Sequence, residues 1–301
     1  MLTVVDFLNS YTNRREAEKS PRTIEEERRY LQKYIEPILK KQLLLTVKTA
    51  HIDAVLKPIL TAGKMRTAQA VYTFIKTASK QNKHLASAMK GVARPMHKSA
   101  EIRYLQPDDA RKLILYGSDR WRAVWLIILT LGLRRGEVAG LRWCDIDFKS
   151  EQIHIRNQRQ AVSGRVIDKE PKSESGKRTL PLLPAIAQQL EKLRAVHEAE
   201  DLLGIGSPYV FQGKNGALHP SSIDHALKRD CKTLGLRPIS VHGLRHTFAT
   251  SSITAGANLK VLSDCLGHAA ITTTCKFYAH VDMLPKQDLC NAVCGTYAKS
   301  T

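Results

Sequence analysis

No pair of cysteines is spaced as C-x-x-C, no H-E-x-x-H string occurs, and no internal repeat or low-complexity tract interrupts the 301 residues. The six cysteines (Cys144, Cys231, Cys265, Cys275, Cys290 and Cys294) all lie beyond residue 140. Cys290 and Cys294 are spaced as on one helix face, but no second His or Cys pair completes a zinc site. A disulfide scaffold and a zinc fold are thereby excluded, and reduced thiols in a cytoplasmic protein are expected. The longest apolar run, 124–133, is broken by Thr130 and Gly132. It is about half of the roughly 20 residues that cross a bilayer. The first 15 residues lack a basic stretch followed by an apolar one, so nothing marks them as a secretory leader. Acidic residues are also scarce: 28 Asp+Glu face 47 Lys+Arg, for a formal charge of +19 and a pI near 9.8. With 43% hydrophobic residues the chain can bury a core, which excludes a disordered basic tail. A folded chain of this charge most often meets nucleic acid.

The excess charge is unevenly spread. Residues 1–100 hold 19 Lys+Arg and 8 Asp+Glu, a net of +11, whereas the other 201 residues hold a net of +8. The N-terminal third therefore reads as a module that grips DNA, or in the plainer reading as solvated helix faces. Thr23 followed by Glu26 predicts a capping box, with apolar residues at Ile24, Tyr30, Leu31, Tyr34, Ile35 and Leu39. A second helix is predicted from Met65 to Ala78. The rhythm lapses between Gly91 and Gln106, as in a linker. Pro107, followed by Asp108 and Asp109, opens another helix. Trp121 to Leu131 reads as the core helix of a second domain. Strands are predicted at 152–156, 166–168 and 178–182, with a turn at Gly164 and a short strand at 209–211. The expected fold is mainly α with a small antiparallel β-sheet (α+β). Its predicted domains are 1–95, a linker at 96–106, and 107–301 with a tail from about 280.

Three strings carry chemistry. Leu131-Gly-Leu-Arg134-Arg-Gly-Glu137 ends the apolar helix. His242-Gly-Leu-Arg245-His246 spaces its polar residues i, i+3 and i+4 on one helix face. Leu266-Gly-His268 precedes Tyr278-Ala-His280 by ten residues. Guanidinium groups present planar forks that match two phosphate oxygens, so two arginines from distant segments would clamp one phosphodiester. Each string has a plainer reading: glycines for tight connections, a surface Arg134, a His268 that satisfies helix-end carbonyls, a Tyr278 that packs in a core. A metal site from His242, His246, His268 and His280 is disfavoured, because adjacent arginines repel a cation.

Taken in order, these strings resemble the tyrosine recombinase (phage integrase) family. Its first arginine sits in G-L-R-x-G-E, matched at Arg134 and Glu137; its H-x-L-R-H block is matched at His242, Leu244, Arg245 and His246. Its L-G-H block is matched at His268 and its Y-x-H string at Tyr278 and His280. A family lysine, often in P-K-T-x-x-S-x-R, is matched at Lys172 in Pro171–Arg178, where Ser replaces Thr and Gly replaces the later Ser; Lys169 and Lys177 compete with it. The likeness implies a catalytic domain from about Pro107 to Ala279 after a helical core-site-binding domain. Many integrases carry a further arm-binding domain first, for which the segment before the core-binding helices leaves no room.

The resemblance implies that Tyr278 attacks a scissile phosphate, that Arg134 and Arg245 hold its free oxygens, and that Lys172 protonates the leaving 5′-oxygen. His242 and His268 assist, while Glu137 and His246 support them. It implies no cofactor and no metal. The implied partners are double-stranded recombination sites, three further copies in a tetramer on two duplexes, and accessory proteins that set direction or bend the DNA. No membrane partner is implied, and a nucleoid-associated cytoplasmic location follows. The tail from His280, with Met283, Leu284, Leu289, Ala292 and Val293 on one side of a predicted helix after Pro285, either links protomers or packs on its own domain. Relaxation of one duplex, as by a type IB topoisomerase, uses much the same residues and stands as an alternative, as does DNA binding without cleavage.

Overall fold

A computed structural model of the chain describes residues 1–97, 103–162, 164–171, 174–201, 207–213 and 216–278. The chain divides into two compact units, one built on the first 101 residues and one on the later sequence.

The first unit is helical: α1 Val4–Arg14, α2 Pro21–Tyr30, α3 Glu36–Leu39, α4 Thr49–Thr61, α5 Met65–Ser79 and α6 Lys83–Lys90. The predicted cap of α2 needs correction. Ser20, not Thr23, is the N-cap: its hydroxyl accepts from the Thr23 N–H, and Pro21 occupies the first turn, where a missing N–H costs nothing. Between α2 and α3 the residues Leu31–Ile35 form a π-helical turn. It still turns Leu31 and Ile35 inward, where they join Val4, Leu8, Leu39, Ile52 and Ile75 in one core.

The second unit adds α7 Pro107–Tyr116, α8 Asp119–Leu131 and α9 Arg135–Gly140, then strands β1 Ile146–Asp147, β2 Gln152–Ile155, β3 Gln158–Val162, β4 Arg165–Lys169 and β5 Arg178–Pro181. After these come α10 Pro184–Asp201, β6 Gln212–Gly213, β7 Gly216–Ala217, α11 Pro220–Thr233, α12 Val241–Thr254, α13 Leu259–Leu266 and α14 Ile271–Tyr278. β1, β2 and β5 form an antiparallel sheet in that order, with Ile153 opposite both Ile146 and Leu180. β3 pairs with β4, and β6 with β7. The strand expected at 209–211 is instead a single bridge from Tyr209 to Arg142, with β6 beginning one residue later. The four described cysteines, Cys144, Cys231, Cys265 and Cys275, are free thiols. Cys290, Cys294 and the tail from 280 lie outside the described residues.

α8 is the spine of this unit, as its apolar sequence predicts. Trp121, Val124, Trp125, Ile127, Ile128 and Leu131 are all buried. The one polar atom of Trp125 is satisfied, since its indole N–H donates to Asp230 at 2.7 Å. α8 ends at Gly132, whose φ of +66° is left-handed, and a Cβ there would stand 2.4 Å from Phe248. This reversal sets Arg134 at the start of α9. Among the described residues no helix is long and apolar enough to cross a membrane.

Candidate active site

Arg134 is the N-cap residue of α9, and Glu137 closes the first turn by accepting from the Arg134 backbone N–H at 2.8 Å. Glu137 is 2% exposed. A carboxylate buried that deeply needs cations, and it has two. Arg134 Nη1 donates to Oε1 at 2.8 Å, and Arg178, from the start of β5, donates through Nη1 and Nη2 at 3.1 and 2.9 Å. Burial pushes the carboxyl up, but Arg178, Arg134 and Arg245 outweigh it and hold Glu137 at about 2.

The arginines then meet the end of α13. Arg178 Nε donates to the Cys265 carbonyl at 2.6 Å, Arg245 Nη2 to Leu266 at 2.6 Å, and Arg134 Nη2 to Gly267 at 3.0 Å. Three consecutive carbonyls thus accept from three arginines. These are the groups a helix leaves without partners, at the end where its dipole favours cations. Gly267 itself is left-handed at φ +62°, and a Cβ on it would lie 2.9 Å from the Ser175 carbonyl. Arg245 also donates to the Gly132 carbonyl at 2.5 Å. These bonds do not exhaust the five N–H groups of its guanidinium.

His268 follows the glycine. Its Nε2 is 3.0 Å from Arg245 Nη2 and its Nδ1 is 2.9 Å from Thr274 Oγ1. Burial and then Arg245, Arg134 and Arg178 lower the imidazole to about 4, so the ring is neutral at pH 7. Arg245 is drawn down to about 9, first by burial and then by Arg134, and stays charged.

Arg134 with Glu137, Arg245 and His268 are therefore brought together from three separate segments. The one-face expectation for the second string holds, since α12 carries all three side chains, though their exposure differs. Arg245 and His246 are buried, whereas His242 is exposed, its ring meeting that of His246 edge-on at 4.4 Å. Tyr278 ends the backbone of α14. Lys172 lies outside the described residues, as do His280 and Tyr297. Of the competing lysines, Lys177 pairs with Glu170 at 2.9 Å and Lys169 is half-buried on β4. Among the described residues no three His, Cys, Asp or Glu side chains are grouped to hold a metal ion. Arg178 was not singled out from sequence. The signal was present, because it closes the lysine string.

Acid should loosen this cluster in two steps. In the unfolded chain His268 takes up a proton near pH 6.5, but in the folded chain only near 4. Its contribution is thus complete above pH 6.5 and is lost as pH falls toward 4. The slope is at most about 1.4 kcal/mol per pH unit. Glu137, with ordinary value 4.5 and folded value about 2, adds a loss between those limits. Urea midpoints measured from pH 7 to pH 3 should fall across both windows, and His268→Gln should flatten the upper one only. Identical profiles for the two proteins would show that His268 is not the group responsible.

The phage integrase family model matches residues 103–284, and the phage integrase central domain matches residues 6–107. A tyrosine recombinase XerC-like protein of Caldanaerobacter subterraneus is 28% identical over 186 residues, 56% of this chain and 47% of its own. The ICEBs1 integrase of Bacillus subtilis is 26% identical over 188 residues, 60% of this chain and 51% of its own. The transposase of transposon Tn916 of Enterococcus faecalis is 33% identical over 166 residues, 52% of this chain and 41% of its own. The chain thus spans about half the length of these curated relatives. Among solved structures, the Tn1549 transposon integrase in complex with transposon right end DNA superposes with a TM-score of 0.78 at 21% identity, covering 99% of this chain and 100% of that one. A lambda integrase tetramer bound to a Holliday junction gives 0.69 at 17% identity, covering 92% of this chain and 77% of that one.

Proposed function

The chain belongs to the phage integrase family of tyrosine recombinases, and from that premise we propose that it cuts and rejoins duplex DNA at a specific site through a 3′-phosphotyrosyl intermediate, serving a mobile element. The observation that carries this reading is the convergence of Arg134, Arg245 and His268 around a buried Glu137. Such an arrangement suits a phosphodiester whose charge grows as a fifth oxygen approaches.

In this reaction Tyr278 attacks the phosphorus and its phenol proton departs. The bond to the 5′-oxygen of the next nucleotide breaks, and Lys172 supplies the proton that oxygen needs. A phenol with a pKa near ~10 attacks well only if its proton is removed as it does so, a task that suits exposed His242. Arg134 and Arg245 neutralise the non-bridging oxygens and His268 adds a hydrogen bond, while Glu137 and buried His246 support them. The new phosphotyrosyl ester conserves the energy of the old one, so the free 5′-hydroxyl of a second strand reverses the step without ATP. Two exchanges between two duplexes require four such chains, and the relative solved as a tetramer on a Holliday junction supports that assembly.

The test starts from a pool of random duplexes with 5′-bridging phosphorothiolate linkages. A thiolate leaves without protonation and cannot readily reverse the reaction, so cleaved duplexes stay attached. Duplexes recovered as denaturant-resistant adducts should converge on one sequence, and peptide mapping should place the adduct on Tyr278. A pool that never yields an adduct, or an adduct on Tyr297, would overturn the proposal.

A further inference from the structure

Along residues 271–275 of α14, Thr274 alone is buried, and it is 0% exposed. A hydroxyl placed where a valine would fit costs stability unless it is hydrogen-bonded. Its partner is His268 Nδ1, at 2.9 Å. The other ring nitrogen fixes the direction of that bond. Arg245 Nη2, 3.0 Å from Nε2, can only donate, so Nε2 accepts and the single ring proton sits on Nδ1. Thr274 therefore accepts from Nδ1–H. It does so from the helix whose last residue, one turn on, is Tyr278.

Building on the recombinase reading, we propose that Thr274 is a positioning residue for the reaction, holding the His268 ring between Arg245 and the helix of the nucleophile in whichever tautomer the step requires. The chemistry of the partner explains why a threonine is suited. A carboxylate or carbonyl would accept only, locking the proton on Nδ1; an amide N–H would donate only. A hydroxyl does both. When a phosphate oxygen replaces Arg245 as the partner of Nε2, that nitrogen must carry a proton. The ring then loses the Nδ1 proton to solvent and gains one at Nε2, unchanged in charge, while the hydroxyl turns to donate to the bare Nδ1. The ring need not move, and α14 stays tied to it throughout.

Two measurements on the full chain test this. Long-range 1H–15N spectra of the DNA-free protein, with the His268 signals assigned by their loss in His268→Gln, should show the Nδ1–H form in wild type and Thr274→Ser. In Thr274→Val Arg245 still donates to Nε2, so the Nδ1–H form should remain, but its Nδ1 resonance should shift and its proton exchange faster for want of an acceptor. On the duplex selected above, Thr274→Val should slow adduct formation about tenfold, the scale of one lost hydrogen bond, with affinity unchanged. Thr274→Ser should stay within about twofold of wild type. In a His268→Ala background, Thr274→Val should add less than about twofold. An Nε2–H ring in the free wild type, a valine variant as fast as wild type, or a full tenfold loss persisting without His268 would each overturn the role of Thr274. A wild type that forms no adduct sinks the recombinase reading instead, and the spectra, which need no DNA, still judge the contact.

Discussion

Tyr278→Phe is expected to abolish the covalent adduct, lowering its formation on the order of 10³-fold or more, while duplex affinity stays within about threefold. Only one oxygen is removed, and the ring and the end of α14 are retained. Loss of the attacking group is felt on that scale because the neighbouring phosphate-binding groups have nothing left to activate. Gel-resolved adduct formation on the selected duplex, beside a binding titration with the same DNA, separates the two quantities. Adduct persisting at the wild-type rate would move the nucleophile to another residue. Equal loss of binding would mean that the substitution had disturbed the fold of the domain.

The second large effect divides the two arginines. Both Arg134→Ala and Arg245→Ala should slow cleavage roughly 10²–10³-fold, the usual cost of deleting one donor to transition-state charge. They should differ in stability. The Arg134 side chain is 37% exposed, and without it Glu137 keeps both bonds from Arg178. About 1 kcal/mol should be lost. Arg245 is 2% exposed and caps the carbonyls of Gly132 and Leu266. Its removal leaves two buried acceptors bare, worth about 3 kcal/mol together. Urea unfolding at pH 7 reads this difference, and cleavage is compared at a temperature where the unfolding curves show both variants folded. Equal stabilities would mean that water reaches the vacated carbonyls; wild-type cleavage in both variants would remove the arginine clamp from the mechanism.

Much of this was legible in the sequence because it is local. The apolar periodicity of α8, Pro107 with its two acids at the start of α7, and the turn at Gly164 depend on neighbours within a few residues. The cap of α2 was misplaced because Ser20 and Thr23 are both competent, and the choice falls to Pro21, which fits the first turn. The 209–211 strand failed because its alternation is spent on one bridge and on burying Val210 and Phe211. In the site, Arg134, Arg245 and His268 are carried by short strings with recognisable spacing. Arg178 closes the lysine string, which does not say what it binds, and Thr274 belongs to none of the strings. Arg178 matters through Glu137, 41 residues away, and the Cys265 carbonyl, 87 away, and Thr274 through His268, six away; no periodicity marks such contacts.

The three carbonyls of residues 265–267 also fix an order of events during synthesis. Arg134, Glu137 and Arg178 can associate once about 180 residues have left the ribosome, but the acceptors at Cys265, Leu266 and Gly267 arrive last. Closing contacts across 133 residues, from Arg134 to Gly267, is slow compared with forming local helices. A nascent or prematurely terminated chain therefore holds a basic, DNA-attracting surface long before it holds an oriented set of guanidinium groups. Under the proposed reaction, the guanidinium set that would hold the phosphate is oriented only after residue 267 has been made.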